Sequence, residues 1–436
     1  MKTRIIQFVT LTLTSFVAMA AEAPASSPAT TSSGEDIQVT VQWPEGKKAI
    51  DIPFSVVLGA GGGSGRAAEA VAAGEPARQP LEYHAGSDIR GYRQLQITTN
   101  PPANVVLPRL NAQRCFARWE TPLDPTGGRW LCLDRSRKSG LRDRLFADAN
   151  GDGRLDDEAP IMAARTENGA SDFDNVRVVF QGERGPREFH LAFKLLSADG
   201  PAPRLLAMTE GWWEGTVDFG GRQHLLQLID ANVNGVFNDV SAYGTNSDAV
   251  VVAGDVGSRR SLGRLLEVDS RLFEIEIARD GSSVKVREAE NIGQGRVRVP
   301  ANISELTVAG ENGQFVRQPA RGECLLPVGA FRVSQWILSR TNEHGALFKL
   351  MGGEFSEAGN FEVAAGKPVS LEIGEPLRAI LEATQSSKNE ITFALGLQGR
   401  LGEWVLMPRP NRPWPPQLRI ASLDGKYVST NMFSYG

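Results

Sequence analysis

The chain has 436 residues, 41% of them hydrophobic and 22% charged, with a formal net charge of −4. These values are ordinary for globular protein and set aside a wholly disordered chain. The mild acidic balance argues against nucleic acid as a partner, and the length predicts roughly two to four domains.

Residues 1–20 read as a secretory signal peptide. Lys2 and Arg4 make a basic start, Ile5 to Val17 is mostly apolar, and Ala18-Met19-Ala20 matches an A-x-A cleavage site. Removing them takes the net charge from −4 to −6. No cysteine follows the apolar run, so a lipoprotein anchor is not expected. No later run approaches the ~20 apolar residues of a membrane helix. The expectation is an exported protein, periplasmic or extracellular, without a membrane span. Residues 21–35 are rich in Ala, Pro, Ser and Thr and predict a flexible linker.

From residue 36 the pattern predicts an all-β, multi-domain chain. A β-rich domain is expected over 36–200, a second over 201–290, and a C-terminal sandwich region over 291–436. Two β-like runs open it, followed by Gly59 to Arg66, GAGGGSGR. This is no phosphate loop, because no Lys-Ser/Thr follows. Nor is it G-x-S-x-G, because Arg66 takes the last glycine's place; a surface loop is expected. Next come QLQITTN, ANVVLP, RCFARWE and RWLCLD, short β-branched or aromatic runs bounded by Pro, Gly and Asn. Cys115 and Cys132 flank a hairpin turn at Pro125–Gly128. Export makes a disulfide between them an expectation, set against three buried thiols, with Cys324 left over.

The stretch Asp148 to Pro160, DANGDGRLDDEAP, alternates oxygen-bearing side chains with small spacers and breaks at a glycine. Asp148, Asn150 and Asp152 take loop positions 1, 3 and 5. Gly153 turns the chain, Arg154 offers a backbone carbonyl, Leu155 is an apolar anchor, and Asp156, Asp157 and Glu158 follow. A second copy, DANVNGVFNDV, gives Asp230, Asn232, Asn234, Gly235, the Val236 carbonyl, Phe237, Asn238 and Asp239. Calcium takes six to eight hard oxygens at roughly 2.3–2.6 Å, which such alternation supplies.

The two stretches resemble the calcium loops of EF-hand and dockerin type, D-x-[DN]-x-[DN]-G. The resemblance covers about a dozen residues in each and implies Ca2+ as the bound ion. Position 12, normally a bidentate carboxylate, is Ala159 in one and Ser241 in the other. The first loop carries more acid, so it is expected to bind, and the second weakly or as a metal-free turn. Against calcium, Asx-Gly turns form for other reasons, and Arg135, Arg137, Lys138, Arg142 and Arg144 stand ready to neutralise the first loop.

NVRVVFQ, EFHLAFKLL and PRLLAM continue the strand pattern, with His190 opposite Phe189, Leu191 and Phe193. Trp212-Trp213 is read as core filler rather than a sugar platform. Asp280-Gly281 between alternating runs is a hairpin signal. From Ile292, short strands with glycine turns suggest immunoglobulin-like sandwich modules.

His84, His190, His224 and His344 fall in no zinc spacing, and no nucleophile elbow is visible. The leading expectation is a non-catalytic exported protein with calcium-stabilised loops and a structural, adhesive or binding role toward an envelope protein or glycan. Alternatives are a carbohydrate-binding or glycoside-active protein and a periplasmic assembly or chaperone-like protein that binds through sheet edges.

Overall fold

The structure is a computed structural model. It describes the backbone of residues 37–42, and residues 76–434 apart from 88–90, 112, 138–139, 183–184, 199–201, 245, 253–258, 342–346, 388–389, 409–414 and 423–425. The expected signal peptide, linker and Gly59–Arg66 loop lie outside the described residues. Strands take 58% of the described residues, against about 20–25% in an average protein, so the class is all-β. The sheets are many and mostly antiparallel, consistent with a multi-domain sandwich architecture.

Residues 79–98 organise the first unit. Their short strands Gln79–Pro80, Glu82–Ala85, Tyr92–Leu95 and Ile97–Thr98 each join a different sheet. The chain then fills those four sheets in reverse order. The first holds Cys115–Glu120, Gly128–Asp134, Arg144–Ala147 and Ile161–Met162. The second holds Arg165–Glu167, Ala170–Gly182, Gly185–Leu196 and Arg204–Thr209. The third holds Gly211–Asp218, Gln223–Ile229, Ala249–Val252 and Arg260–Ser261. Leu265–Val268, Arg271–Ile277 and Ser283–Glu288 form the fourth.

One continuous core follows from this lacing. It runs from Leu81 to Val284 and includes Trp119, Phe173, Phe193, Phe219 and Phe273. The division expected at 200/201 therefore falls inside one sheet, where Gly185–Leu196 pairs with Arg204–Thr209. Alternation and turn residues give strand ends, but they do not say which sheets share a core.

The second and third sheets meet at a corner. Only Glu210 separates Arg204–Thr209 from Gly211–Asp218. Glu210 is buried; its N–H donates to the His190 carbonyl at 2.9 Å, and its Oε2 accepts from Asn175 N at 2.6 Å. Gly211 is required there, since a Cβ would lie 2.0 Å from the Tyr83 hydroxyl.

The cysteine expectation is corrected. Cys115 stands opposite Leu133 and Cys132 opposite Phe116. The two are one step out of register, and successive side chains of a strand point to opposite faces. Cys115 thus enters the large core, and Cys132 enters a separate cluster with Phe116, Phe146 and Leu155. All three cysteines are free.

A second core, Val297 to Val405 with Leu265, lies between the three-stranded sheet built on Gln294–Arg298 and a larger sheet carrying Gly329–Thr341. Its centre is Trp336, fully buried, whose Nε1 donates to Glu403 Oε1 at 2.7 Å. Glu403 also accepts from Gly374 N and Leu401 N, at 3.2 and 2.9 Å. Ile37–Gln42 pairs with Gln417–Ser422, bringing the two ends of the described chain together.

Candidate metal loops

Both loops close on a buried aspartate at position 1. The first follows Arg144–Ala147. Asp148 is 4% exposed; its Oδ1 accepts from Gly151 N at 2.7 Å and its Oδ2 from Gly153 N at 3.3 Å. Asn150 Oδ1 accepts from Asp152 N, and Asp152 Oδ1 from Arg154 N, at 3.0 and 2.8 Å. Each oxygen-bearing side chain thus caps backbone a few residues ahead, which curls the chain around them. Gly151 and Gly153, at φ +84° and +77°, supply the left-handed backbone this needs.

Leu155 is fully buried, as an anchor should be, and Val106 clips it in place. Val106 N donates to Gly153 O at 3.0 Å and Leu155 N to Val106 O at 2.8 Å. Glu158 Oε1 accepts from Ala149 N at 2.8 Å, across the mouth of the loop. Asp156 and Asp157 pair with the Arg154 side chain at 2.8 and 3.8 Å.

A cation already lies under this loop, and it is not one of those expected. Arg129 Nη1 lies 3.7 Å from Asp148 Oδ1, and its Nε 2.7 Å from Asp124 Oδ2. The guanidinium lies 4.9 Å from the Phe180 ring centroid. Arg144 instead pairs with Asp134, and Arg142 donates to the carbonyls of Gln113 and Ala198. Burial pushes the Asp148 carboxyl up to about 6, against the opposing pull of Arg129 and the Gly153 N–H.

The second loop follows Gln223–Ile229. Asp230 is fully buried; Oδ1 accepts from Asn234 N at 3.1 Å and Oδ2 from Gly235 N at 2.6 Å. Val233 is buried at φ +56°, and its carbonyl accepts from Trp119 Nε1 at 2.6 Å. Phe237 is the apolar anchor, its N–H donating to Arg279 O at 3.0 Å. The carboxamides of Asn232 and Asn234 both donate to Asp239 Oδ2, at 2.9 and 2.6 Å. Asn238, expected as a ligand, is exposed, and Val236 is buried.

The sequence reading missed Asp248. It is 1% exposed, and it ties the two ends of the loop. Oδ1 accepts from Ala231 N at 3.1 Å and Oδ2 from Asp239 N at 2.8 Å. Burial raises the carboxyl pKa of both Asp230 and Asp248, and Asp239 adds to the rise in each. Asn232 Oδ1 is buried without a hydrogen-bond partner. Among the described residues no group of three or more His, Cys, Asp or Glu side chains is disposed to hold a metal ion. A cation at either loop would therefore need amide and carbonyl oxygens beside the carboxylates, the mixed donor set that suits calcium.

Comparison with known protein families, with curated proteins and with solved structures finds no match to this chain.

Proposed function

We propose that this is an exported, non-catalytic protein of paired-sheet modules, immunoglobulin-like in its C-terminal part, whose acidic loops are stiffened by calcium. Its role is structural, adhesive or binding, in the cell envelope or outside the cell. The observation that carries the calcium reading is the second loop. There a fully buried Asp230 curls the chain, Asp248 closes it, and the buried Asn232 Oδ1 has no hydrogen-bond partner. An orphaned buried oxygen, in a loop whose Asp230 and Asp248 carboxylates burial disfavours as ions, costs free energy, and a hard cation offsets both costs.

This ranks the loops opposite to their acid count. The first loop has Arg129 beside its leading carboxylate and Arg154 on Asp156 and Asp157. Charge already compensated by guanidinium attracts a dication less. The second loop is the stronger site, and the first is the arginine-clamped version of the same turn.

Calcium titration of thermal stability tests the proposal. Binding to the native state at a hundredfold excess over Kd adds about 2.7 kcal/mol, or about 5–10 °C for a unit of this size. A midpoint indifferent to calcium and to chelator would remove the proposal.

A further inference from the structure

The adjacent tryptophans of Gly211–Asp218 do different things, because neighbours on a strand face opposite ways. Trp213 turns inward. It packs against the large core, edge-on to Tyr83 and Phe237, with ring centroids 5.4 and 6.4 Å away. Trp212 turns outward, half-buried, and belongs to no core cluster. The expectation that both are filler therefore holds for one of them.

Around Trp212 the outward face carries planar and polar groups held by one another. His84, its cross-strand partner, lies nearly parallel to the indole, with ring centroids 5.8 Å apart and planes at 15°. Glu214 stands two residues along on the same face. Its Oε2 accepts from Trp212 Nε1 at 3.2 Å and from Gln227 Nε2 at 2.6 Å. Both donors use the same oxygen. Glu214 Oε1, Gln227 Oε1 and the His84 ring nitrogens have no hydrogen-bond partner among the described residues. Exposed Glu82 stands cross-strand from Glu214. None of these side chains is needed to satisfy the sheet.

We infer that the Trp212–His84–Glu214–Gln227 face is a binding site for a neutral saccharide. The chemistry selects the class. Flat aromatic rings take an apolar face of C–H groups. Two fixed oxygen acceptors and an imidazole beside them take hydroxyl donors, and they are positioned before the ligand arrives, which lowers the cost of binding. Glu82 and Glu214 repel phosphate, sulfate and uronate. The Gln227 hydrogen bond, the largest cause, holds the Glu214 carboxyl below its usual range, so the acceptor stays ionised. The inference stands apart from the calcium proposal, since none of these four residues belongs to either loop.

The test uses the full exported chain and a panel of neutral oligosaccharides (cello-, xylo-, malto- and chito-series), read by calorimetry and tryptophan fluorescence. At least one series should bind. Trp212→Ala should weaken that series at least tenfold, and the near-isosteric Glu214→Gln severalfold, with melting midpoints unchanged for Glu214→Gln. Trp404→Ala, on the exposed face of another sheet, should bind as the parent does. Absence of binding across the panel overturns the inference. So does a series whose affinity ignores both Trp212→Ala and Glu214→Gln, or tighter binding of a quaternary ammonium probe than of any sugar.

Discussion

Arg129 Nη1 lies 3.7 Å from Asp148 Oδ1, with both side chains about 5% exposed. The same guanidinium holds Asp124 on its other side and lies over Phe180. A buried cation shared between two buried carboxylates cannot be removed without leaving both uncompensated. Arg129→Met should therefore cost about 3–5 kcal/mol, the range for breaking one side of a buried ion pair. Denaturant melts measure it. Calcium should restore part of the loss in Arg129→Met, because the loop then lacks its own cation. A loss under about 1 kcal/mol would show the pair to be dispensable.

The calcium-free protein should become more stable on mild acidification. Burial raises the Asp148 carboxyl to about 6 in the folded chain, against an unfolded value near 3.8. A group whose folded pKa is raised contributes stability fully present below its unfolded pKa and lost as pH rises through the folded one. Asp230 and Asp248 are raised as well, and so act in the same direction. In chelator, the melting midpoint should rise as pH falls from 8 toward 5.5, and Asp148→Asn should flatten that rise. With calcium present the dependence should weaken or reverse, because the ion favours the ionised form. A midpoint that falls steadily over that window in chelator contradicts this electrostatic reading.

Cys115 and Cys132 should behave as buried thiols. Burial pushes them up to about 11 and about 12, so little thiolate exists at neutral pH. Native protein should react slowly with thiol reagents at both positions, and reductant should leave the melting midpoint unmoved. Recovery of a linked Cys115–Cys132 peptide from the native protein would refute the opposite-face placement.

The C-terminal unit offers a change that calcium should not touch. Glu403→Ala strips partners from Trp336 Nε1, Gly374 N and Leu401 N at a fully buried site. Orphaned buried donors cost about 1–3 kcal/mol each, and the loss should be the same with calcium or chelator. If calcium rescues this variant, its stabilising effect is not confined to the loops.

Much of the fold could be read from residues. Alternation located the strands now seen at Cys115–Glu120, Gly128–Asp134 and Gly185–Leu196, and Asp280-Gly281 does turn the hairpin between Arg271–Ile277 and Ser283–Glu288. Position 1 of each loop and both apolar anchors, Leu155 and Phe237, were legible because the D-x-N-x-[DN]-G spacing is local. What was not legible is long-range. Asp248 lies 18 residues beyond Asp230 and returns to it only through the pairing of Gln223–Ile229 with Ala249–Val252. Arg129 had one available signal. It shares strand parity with Leu131 and Leu133, so a charged residue fell on the face that builds the core. The cysteine pairing failed on the same parity, one residue out of phase.

Terbium luminescence reads the second loop itself, because terbium occupies calcium sites and is excited through nearby indole. Trp119 donates to the Val233 carbonyl inside the second loop and so serves as its antenna. Sensitised emission should appear, be competed away by calcium, be abolished by Asp230→Asn and be left largely intact by Asp148→Asn. Emission that is absent, or that survives Asp230→Asn undiminished, would rule out calcium at the second loop.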